Sequence, residues 1–177
     1  MIENDLPRRK RTRLQDFDYS RSGAYFITIC TERRRKILSR IVGVDVLGDP
    51  SRDLMDYAKT ELFQHGIIAD KYINQLNEFY ENIKVDRYVI MPNHIHLILF
   101  VFDNGSPRTS TPTKQTSAVS YFVSTFKRFC NKKYGYNIWQ RGFYDHIIRN
   151  REDYEKHIKY ICENPIRWRF DELYSEE

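Results

Sequence analysis

Arg87–Phe100 has the sequence RYVIMPNHIHLILF, and the rest of the chain can be arranged around it. The stretch is apolar and rich in β-branched residues, which favours strands. Successive side chains of a strand point to opposite faces, so His94 and His96 share one face while Ile95 and Leu97 occupy the other. Neutral imidazole is a common metal ligand, so the pair is a candidate metal site. Alternatively, both histidines are half-exposed polar residues of a strand whose other face is core.

Composition indicates a folded basic protein with one domain. The chain has 177 residues, of which 15% are aromatic, and 29 Lys and Arg against 24 Asp and Glu give a net charge of +5. This charge fits a polyanionic partner such as nucleic acid, or simply a soluble basic protein. No apolar run has the roughly 18 to 20 residues that a membrane span needs, and no signal peptide is evident, so a cytoplasmic location without membrane contact is expected.

The first half of the chain predicts one strand, a basic turn and one helix. Ala24–Thr31 is strongly β-prone and is followed by the charged turn at 32–36. Ser39–Leu47 predicts a short strand. From Ser51, apolar residues recur at three- and four-residue steps and predict a helix with Ser51 as its N-cap: Leu54, Tyr57, Ala58, Leu62, Ile67 and Ile68. Gly66 can interrupt this helix. The polar stretch around Asn74, Asn77 and Asn82 is expected to end it.

The second half predicts a hairpin, two helices and a further strand. Pro92 and Asn93 form the turn of the hairpin, and the other predicted elements are strands Ile83–Met91 and His94–Phe102, a loop Asp103–Gln115, a helix Thr116–Tyr134, a strand Phe143–Arg149 and a helix Asp153–Glu163 with Asn150 as its N-cap. Strands on both sides of a first helix, and a second helix before the last strand, suggest an α+β sandwich of the ferredoxin-like kind.

The last predicted helix carries a second candidate group of polar residues. Tyr160 and Asn164 are four residues apart, so they share a helix face, and Lys156 and His157 lie one turn earlier on that side. Pro165 disfavours helical geometry for the residue before it, which puts Asn164 at the helix end. Taken alone, these positions favour the simpler interpretation, in which Tyr160 is a packing residue and Asn164 a helix cap.

In combination these motifs resemble a known family. The motifs are, in chain order, Met91-Pro92-Asn93, His94-Ile95-His96, Ile138-Trp139-Gln140, Phe143-Tyr144-Asp145-His146 and Tyr160-Ile161-x-x-Asn164-Pro165. Together they resemble the IS200-like single-tyrosine transposases and most closely their REP-associated branch. The resemblance covers roughly residues 17–168. It implies the HUH endonuclease fold, an α+β fold with a ferredoxin-like antiparallel sheet and helices on one face.

The resemblance also implies a chemistry. His94 and His96 would be metal ligands with Asn164 as a third, the ion being Mg²⁺ or Mn²⁺, and Tyr160 would be the nucleophile. The enzyme would cleave and rejoin single-stranded DNA near hairpins through a covalent 5′-phosphotyrosine intermediate. A phenol ionises near pH 10 in water, so Lys156, His157 or the metal would have to help Tyr160 lose its proton. The role of His146 stays open between a ligand, a phosphate contact and a core residue.

Basic residues outside this group are candidates for DNA contact. They could form a phosphate track, and they comprise Arg33, Arg34, Arg35, Lys127, Arg128, Lys132, Lys133 and Arg149. The expected organisation is a basic N-terminal arm at 1–22, a transposase domain at 23–168 and an acidic tail at 169–177. Either a monomer or a homodimer is compatible with the resemblance.

Two rival functions remain at this stage. The chain could be a catalytically retired DNA-binding module on the same fold, which would bind DNA without cutting it. It could instead be a zinc-dependent hydrolase without covalent catalysis, whose activity would survive replacement of Tyr160 by Phe.

Overall fold

A computed structural model describes residues 22–43, 58–102 and 117–174. The main sheet has four strands in the order β4-β5-β1-β6, and every pairing is antiparallel. The elements are β1 Gly23–Cys30, β2 Ser39–Val42, β3 Lys59–Leu62, α1 Gln64–Phe79, β4 Ile83–Ile90, β5 His94–Val101, α2 Ala118–Tyr134, β6 Tyr144–Ile148 and α3 Arg151–Glu163. The predicted α+β class with a ferredoxin-like antiparallel sheet is confirmed.

One face of this sheet is apolar and forms the core. Ile27 and Ile29 of β1 and Ile95 and Leu97 of β5 are fully buried, in agreement with the two-residue alternation. The helices α1 and α2 pack on them, and α2 contributes Phe122 and Phe126 among other buried side chains. This is the face that the predicted fold covers with helices.

The third helix lies on the opposite face of the sheet. The ring of His157 on α3 packs against Phe26 of β1 at 4.6 Å between centroids. Tyr154 donates a hydrogen bond to Asp86 of β4 at 2.7 Å. Since Phe26 alternates with Ile27 along β1, α3 sits over the histidine face of β5, and the sheet separates α3 from α1 and α2.

The prediction of a helix from Ser51 is wrong for residues 59–62, which form β3. These residues pair antiparallel with β2, Ser39 opposite Leu62 and Val42 opposite Lys59. Arg40 and Glu61 face each other across this pair and form an ion pair at 2.7 Å. The helical spacing of the apolar residues is therefore overridden by a pairing with a distant segment.

The helix itself begins at Gln64, runs through Asn74 and Asn77, and ends at Phe79, within the polar stretch that was expected to end it. Asn74 donates to the Asp70 carbonyl at 2.9 Å, and Asn77 accepts a hydrogen bond from the Val85 backbone at 2.7 Å. Because both amides have partners, they do not break α1. Gly66 does not interrupt the helix either: a Cβ at this position would lie 2.1 Å from the Leu38 carbonyl oxygen, so glycine permits a close approach to the chain before β2.

The ends of α2 and α3 agree with the predictions. Gly135 ends α2 in the left-handed conformation, with φ of 78°, which glycine adopts without a steric penalty. The Asn150 side chain caps α3 by accepting a hydrogen bond from the Asp153 backbone at 2.8 Å. The N-terminal arm, the Ser51 cap and the loop Asp103–Gln115 lie outside the described residues. Within the described segments, no helix combines the length and apolar character required to cross a bilayer.

Candidate active site

The two histidines of β5 are buried on the face that α3 covers. His94 is 0% and His96 3% exposed, and their rings lie 4.4 Å apart between centroids. The Nδ1 atom of His94 is 2.8 Å from Oδ1 of Asn93, and the Nδ1 atom of His96 is 2.8 Å from the Thr28 hydroxyl. These contacts orient both rings through their Nδ1 atoms, which leaves the two Nε2 atoms for another partner.

The hydrogen bonds around Asn93 set the tautomer of His94. Asn93 donates through Nδ2 to the Leu173 carbonyl at 2.8 Å, so its Oδ1 faces His94 as an acceptor. Nδ1 of His94 must therefore carry the proton, and Nε2 carries a bare lone pair. Burial, followed by the positive charge of Arg34, lowers the pKa of His94 to about 3. Burial also lowers the pKa of His96, so both rings are neutral near pH 7, as a metal ligand must be.

Tyr160 and Asn164 come together at the C-terminal end of α3, as the four-residue spacing predicts. Asn164 donates its backbone N–H to the Tyr160 carbonyl at 2.9 Å. The Asn164 side chain is buried, whereas Tyr160 is 42% exposed and its ring lies 5.1 Å from the ring of His96. The nucleophile candidate therefore faces solvent beside the buried histidines.

Asp171 joins these residues, although it lies in the stretch that was expected to be an acidic tail. Its Oδ2 atom accepts hydrogen bonds from the Tyr160 hydroxyl at 3.0 Å and from Nδ2 of Asn164 at 2.7 Å. Its Oδ1 atom accepts from the Leu173 backbone at 2.7 Å. No motif marks this aspartate, because it meets the histidines only through the turn after α3.

The donor atoms of this cluster fit a divalent metal ion. Within the described residues, Nε2 of His94, Nε2 of His96 and Oδ1 of Asn164 are buried and have no hydrogen-bond partner. Buried polar atoms rarely stay unpaired, so these three atoms of neighbouring side chains fit a metal ion as their partner. A carboxylate oxygen of Asp171 and one nitrogen of each histidine also lie within 4.8 Å of one another. Two imidazoles with amide and carboxylate oxygens suit Mn²⁺ better than Mg²⁺, which prefers oxygen ligands alone.

The environment of Tyr160 keeps its phenol protonated. Burial raises the pKa of Tyr160 above its usual value, and the negative charge of Asp171, together with the hydrogen bond to it, raises it further. The phenolic proton therefore lies on the hydrogen bond to Asp171 in this arrangement. Any reaction of the phenol as a nucleophile must remove that proton.

A cavity of about 640 Å³ opens beside Tyr160 and is lined by His96, Lys156 and His157 among others. Lys156 and His157 thus share the side of α3 that carries Tyr160, as predicted. His157 is anchored at Nδ1, which lies 2.7 Å from the Asp153 carbonyl. A phosphodiester could enter this cavity, because it is open and is bordered by cationic side chains.

His146 belongs to a separate group next to this cavity. Its Nε2 atom lies 2.9 Å from Asp153 Oδ2, and its ring stacks on His157 at 4.6 Å between centroids. His146, Asp153 and His157 bring three potential ligand atoms together. Two nearly parallel rings cannot both aim in-plane lone pairs at one ion between them, so stacking and hydrogen bonding account for this group.

The basic residues predicted to contact DNA do not form one surface. Arg34 lines the cavity and donates to the Glu172 carbonyl at 3.3 Å. Arg33 and Arg35 are exposed beside it, and Arg149 is exposed after β6. The remaining four lie on α2, which covers the opposite face of the sheet: Lys127, Arg128, Lys132 and Lys133.

Lys127 differs from the other three cations of α2. Its ammonium donates to the carbonyls of Gln140 and Gly142, and burial lowers the pKa of Lys127 to about 8. Its charge is therefore engaged in holding the segment before β6. Lys127 is not among the residues that we propose for DNA contact.

Comparison with known proteins supports a relationship with transposases. The chain is 25% identical over 149 residues to the REP-associated tyrosine transposase of Escherichia coli K12, covering 84% of this chain and 70% of that protein. The chain is similar in sequence to REP-associated tyrosine transposases. The family resemblance inferred from its motifs is thereby confirmed. A putative REP-associated tyrosine transposase of Haemophilus influenzae is also 25% identical, over 163 residues that cover 90% of this chain and 79% of that protein.

Two further known proteins are similar to the chain. An uncharacterized protein of Haemophilus influenzae is 29% identical over 183 residues, covering 95% of this chain and 94% of that protein. The structure of a REP-associated tyrosine transposase bound to a REP hairpin matches with a TM-score of 0.58 and 20% identity, over 88% of this chain and 74% of the other. That match supports the fold. No family model matches the chain.

Proposed function

We propose that this chain is a metal-dependent transposase that cleaves and rejoins single-stranded DNA near hairpins through a covalent 5′-phosphotyrosine on Tyr160. His94, His96 and Asn164 would hold the metal ion, and Asp171 would stand beside them. The observation that carries this proposal is the set of three buried, unpaired donor atoms, among the described residues, next to a half-exposed tyrosine. Relatedness to tyrosine transposases supports the same assignment.

The side chains divide the work of the reaction between them. A bound divalent ion would neutralise charge on the scissile phosphate. Oη of Tyr160 attacks the phosphorus, the new P–O bond forms, and the bond to the 3′-oxygen breaks. The phenolic proton already points at Asp171 Oδ2, which would accept it as the new P–O bond forms, and the departing 3′-oxygen would take up a proton from solvent and leave as the 3′-hydroxyl. Asn164 is positioned by the same carboxylate, so Asp171 aligns the nucleophile with a metal-binding amide.

The DNA partner is proposed to be a single strand that carries a hairpin. The matched transposase structure contains a REP hairpin, and this chain has a net charge of +5. Arg34 and Lys156 line the cavity beside Tyr160 and can neutralise phosphates next to the scissile bond, whereas Lys159 and Arg167 of the same cavity are paired with Glu163. The covalent intermediate keeps the energy of the phosphodiester, so rejoining needs no nucleotide cofactor.

A covalent-capture assay tests this function. The purified protein is incubated with Mn²⁺ and end-labelled single-stranded hairpin DNA from the flanks of its own gene, and the products are separated by denaturing electrophoresis. We expect a labelled protein–DNA adduct that Tyr160→Phe abolishes. Tyr121→Phe is the matched control, because Tyr121 is also exposed but lies on α2, and it should keep the adduct.

The other outcomes identify the two rival functions. Cleavage that leaves no adduct and that persists in Tyr160→Phe would contradict covalent catalysis and favour a zinc-dependent hydrolase. Tight DNA binding without cleavage in either Mn²⁺ or Mg²⁺ would favour a retired binding module.

A further inference from the structure

A second cavity of about 640 Å³ lies beyond the histidines, and the proposed reaction does not use it. It is lined by the cations Lys36, Arg40 and Arg169 and by the aromatic side chains of Phe63, Trp168 and Tyr174, among others. Phe63 is 40% exposed, so an exposed apolar surface borders this cavity. Cations beside accessible aromatic rings are the combination that binds unpaired nucleotides, through phosphate contacts and base stacking, and here the ring of Phe63 is accessible whereas Trp168 is only 8% exposed.

The wall between this cavity and the candidate active site is thin. The ring of Trp168 packs on His94 at 5.8 Å between centroids, and Pro92 and Pro165 line the cavity directly before Asn93 and after Asn164. Tyr160, in contrast, packs beside His96 at 5.1 Å. Along β5, the nucleophile therefore lies at the His96 end and the second cavity at the His94 end.

The stereochemistry of phosphoryl transfer gives this arrangement a direction. The attacking and leaving oxygens are roughly in line on opposite sides of the phosphorus. With Tyr160 on one side of the metal-binding residues, the leaving 3′-oxygen must lie on the side away from it. On the basis of the proposed function, we propose that the second cavity binds the nucleotides immediately 5′ of the scissile phosphate and holds the 3′-hydroxyl end after cleavage.

The side chains of the cavity suit that role. Lys36 lies over the Tyr174 ring at 5.5 Å, so a cation and an aromatic face are presented together. Arg169 is exposed in the short helix Trp168–Phe170. Arg40 is already paired with Glu61, so Lys36 and Arg169 are the better candidates for phosphate contact. A retained 3′-hydroxyl end would stay close to the phosphotyrosine for rejoining, because its diffusion is prevented.

A binding measurement tests the cavity independently of cleavage. Fluorescence anisotropy with a fluorescein-labelled oligothymidylate of about ten nucleotides is carried out in EDTA, in a Tyr160→Phe background. We expect the double variant Lys36→Glu/Arg169→Glu to bind about tenfold or more weakly, and Phe63→Ala to lose a similar factor from stacking. Lys71→Glu/Lys84→Glu is the charge-matched control at exposed residues outside both cavities, and should change the affinity by less than about threefold.

Photo-crosslinking tests the direction. A single 5-iododeoxyuridine is placed next to the cleaved phosphate of the hairpin substrate, on its 5′ or its 3′ side, and the crosslinked peptide is identified by mass spectrometry. The 5′ placement should label Phe63, Trp168 or Tyr174. Labelling of Tyr144 or Tyr160 from the 5′ placement would overturn the proposal, as would equal weakening by the cavity and control variants. Loss of the adduct in the covalent-capture assay would instead contradict the proposed function, while the anisotropy result would stand.

Discussion

The two faces of the central sheet are built from different chemistry, although the same strands supply both. On one face α2 buries Val119, Phe122, Val123 and Phe126 against the apolar residues of β1 and β5. On the other face α3 buries only Ile161 and lies on histidine, threonine and aromatic side chains. Burial of apolar side chains is the main source of stability, whereas buried polar atoms without a hydrogen-bond partner cost free energy. The first face therefore holds the fold, and the second keeps atoms unpaired for a ligand.

The largest expected effect on stability comes from a substitution in the apolar face of the sheet. Phe126 of α2 is fully buried and contacts Trp139 at 5.3 Å between centroids. Phe126→Ala should lower the free energy of unfolding by about 3–5 kcal/mol, because it removes apolar contact and leaves a cavity. Urea unfolding followed by circular dichroism measures this. A loss below about 1 kcal/mol would contradict the assignment of this face as the stabilising one.

The histidine face should make the metal-free protein sensitive to acid. The pKa of His94 is about 3 in the folded state, against about 6.5 in the unfolded chain. Between these values the unfolded chain binds a proton that the folded protein does not, so the free energy of unfolding falls as pH falls. His94 alone should remove about 2 kcal/mol between pH 7 and pH 5, and His96 acts in the same direction.

Urea unfolding in EDTA at both pH values measures this loss. His94→Gln should flatten the dependence, whereas Tyr121→Phe, at an exposed residue of α2 that carries no imidazole, should leave it unchanged. An equally steep dependence in His94→Gln would show that the buried imidazole is not its cause.

A smaller effect is expected at the start of α3. Since this helix buries little apolar surface, its end contacts matter more, and Asn150 caps it by accepting from the Asp153 backbone. Asn150→Ala should cost about 1 kcal/mol in the free energy of unfolding, while Asn150→Asp should keep most of the cap. If both variants lose equally, the cap does not stabilise α3.

The smallest effect on stability is expected where the effect on chemistry is greatest. Tyr160 is half exposed, and its hydroxyl donates a hydrogen bond to Asp171. Tyr160→Phe should change the free energy of unfolding by no more than about 1 kcal/mol while it abolishes the adduct. A variant that fails to fold would instead indicate a structural role for the hydroxyl.

The parts that the sequence predicted well rest on local patterns. The alternation in 94–97 places two histidines on one face of a strand, and the four-residue step brings Tyr160 and Asn164 together. Asn150 caps the helix that carries Tyr160. Strand alternation and helical periodicity depend only on backbone geometry, so they survive in the folded protein. The same periodicity failed at 59–62, because pairing with β2 outweighed a helical preference of a few tenths of a kcal/mol per residue.

The amino-acid pattern alone specifies the α+β class, the histidine pair on β5 and the helix that carries Tyr160. The tertiary structure adds Asp171, which the turn after α3 brings into contact with Tyr160 and Asn164. It also pairs the ammonium of Lys127 with two backbone carbonyls. It also places α3 and α2 on opposite faces of one sheet. These features arise from contacts between residues far apart in the chain, and such contacts depend on how the elements pack, which no local pattern encodes.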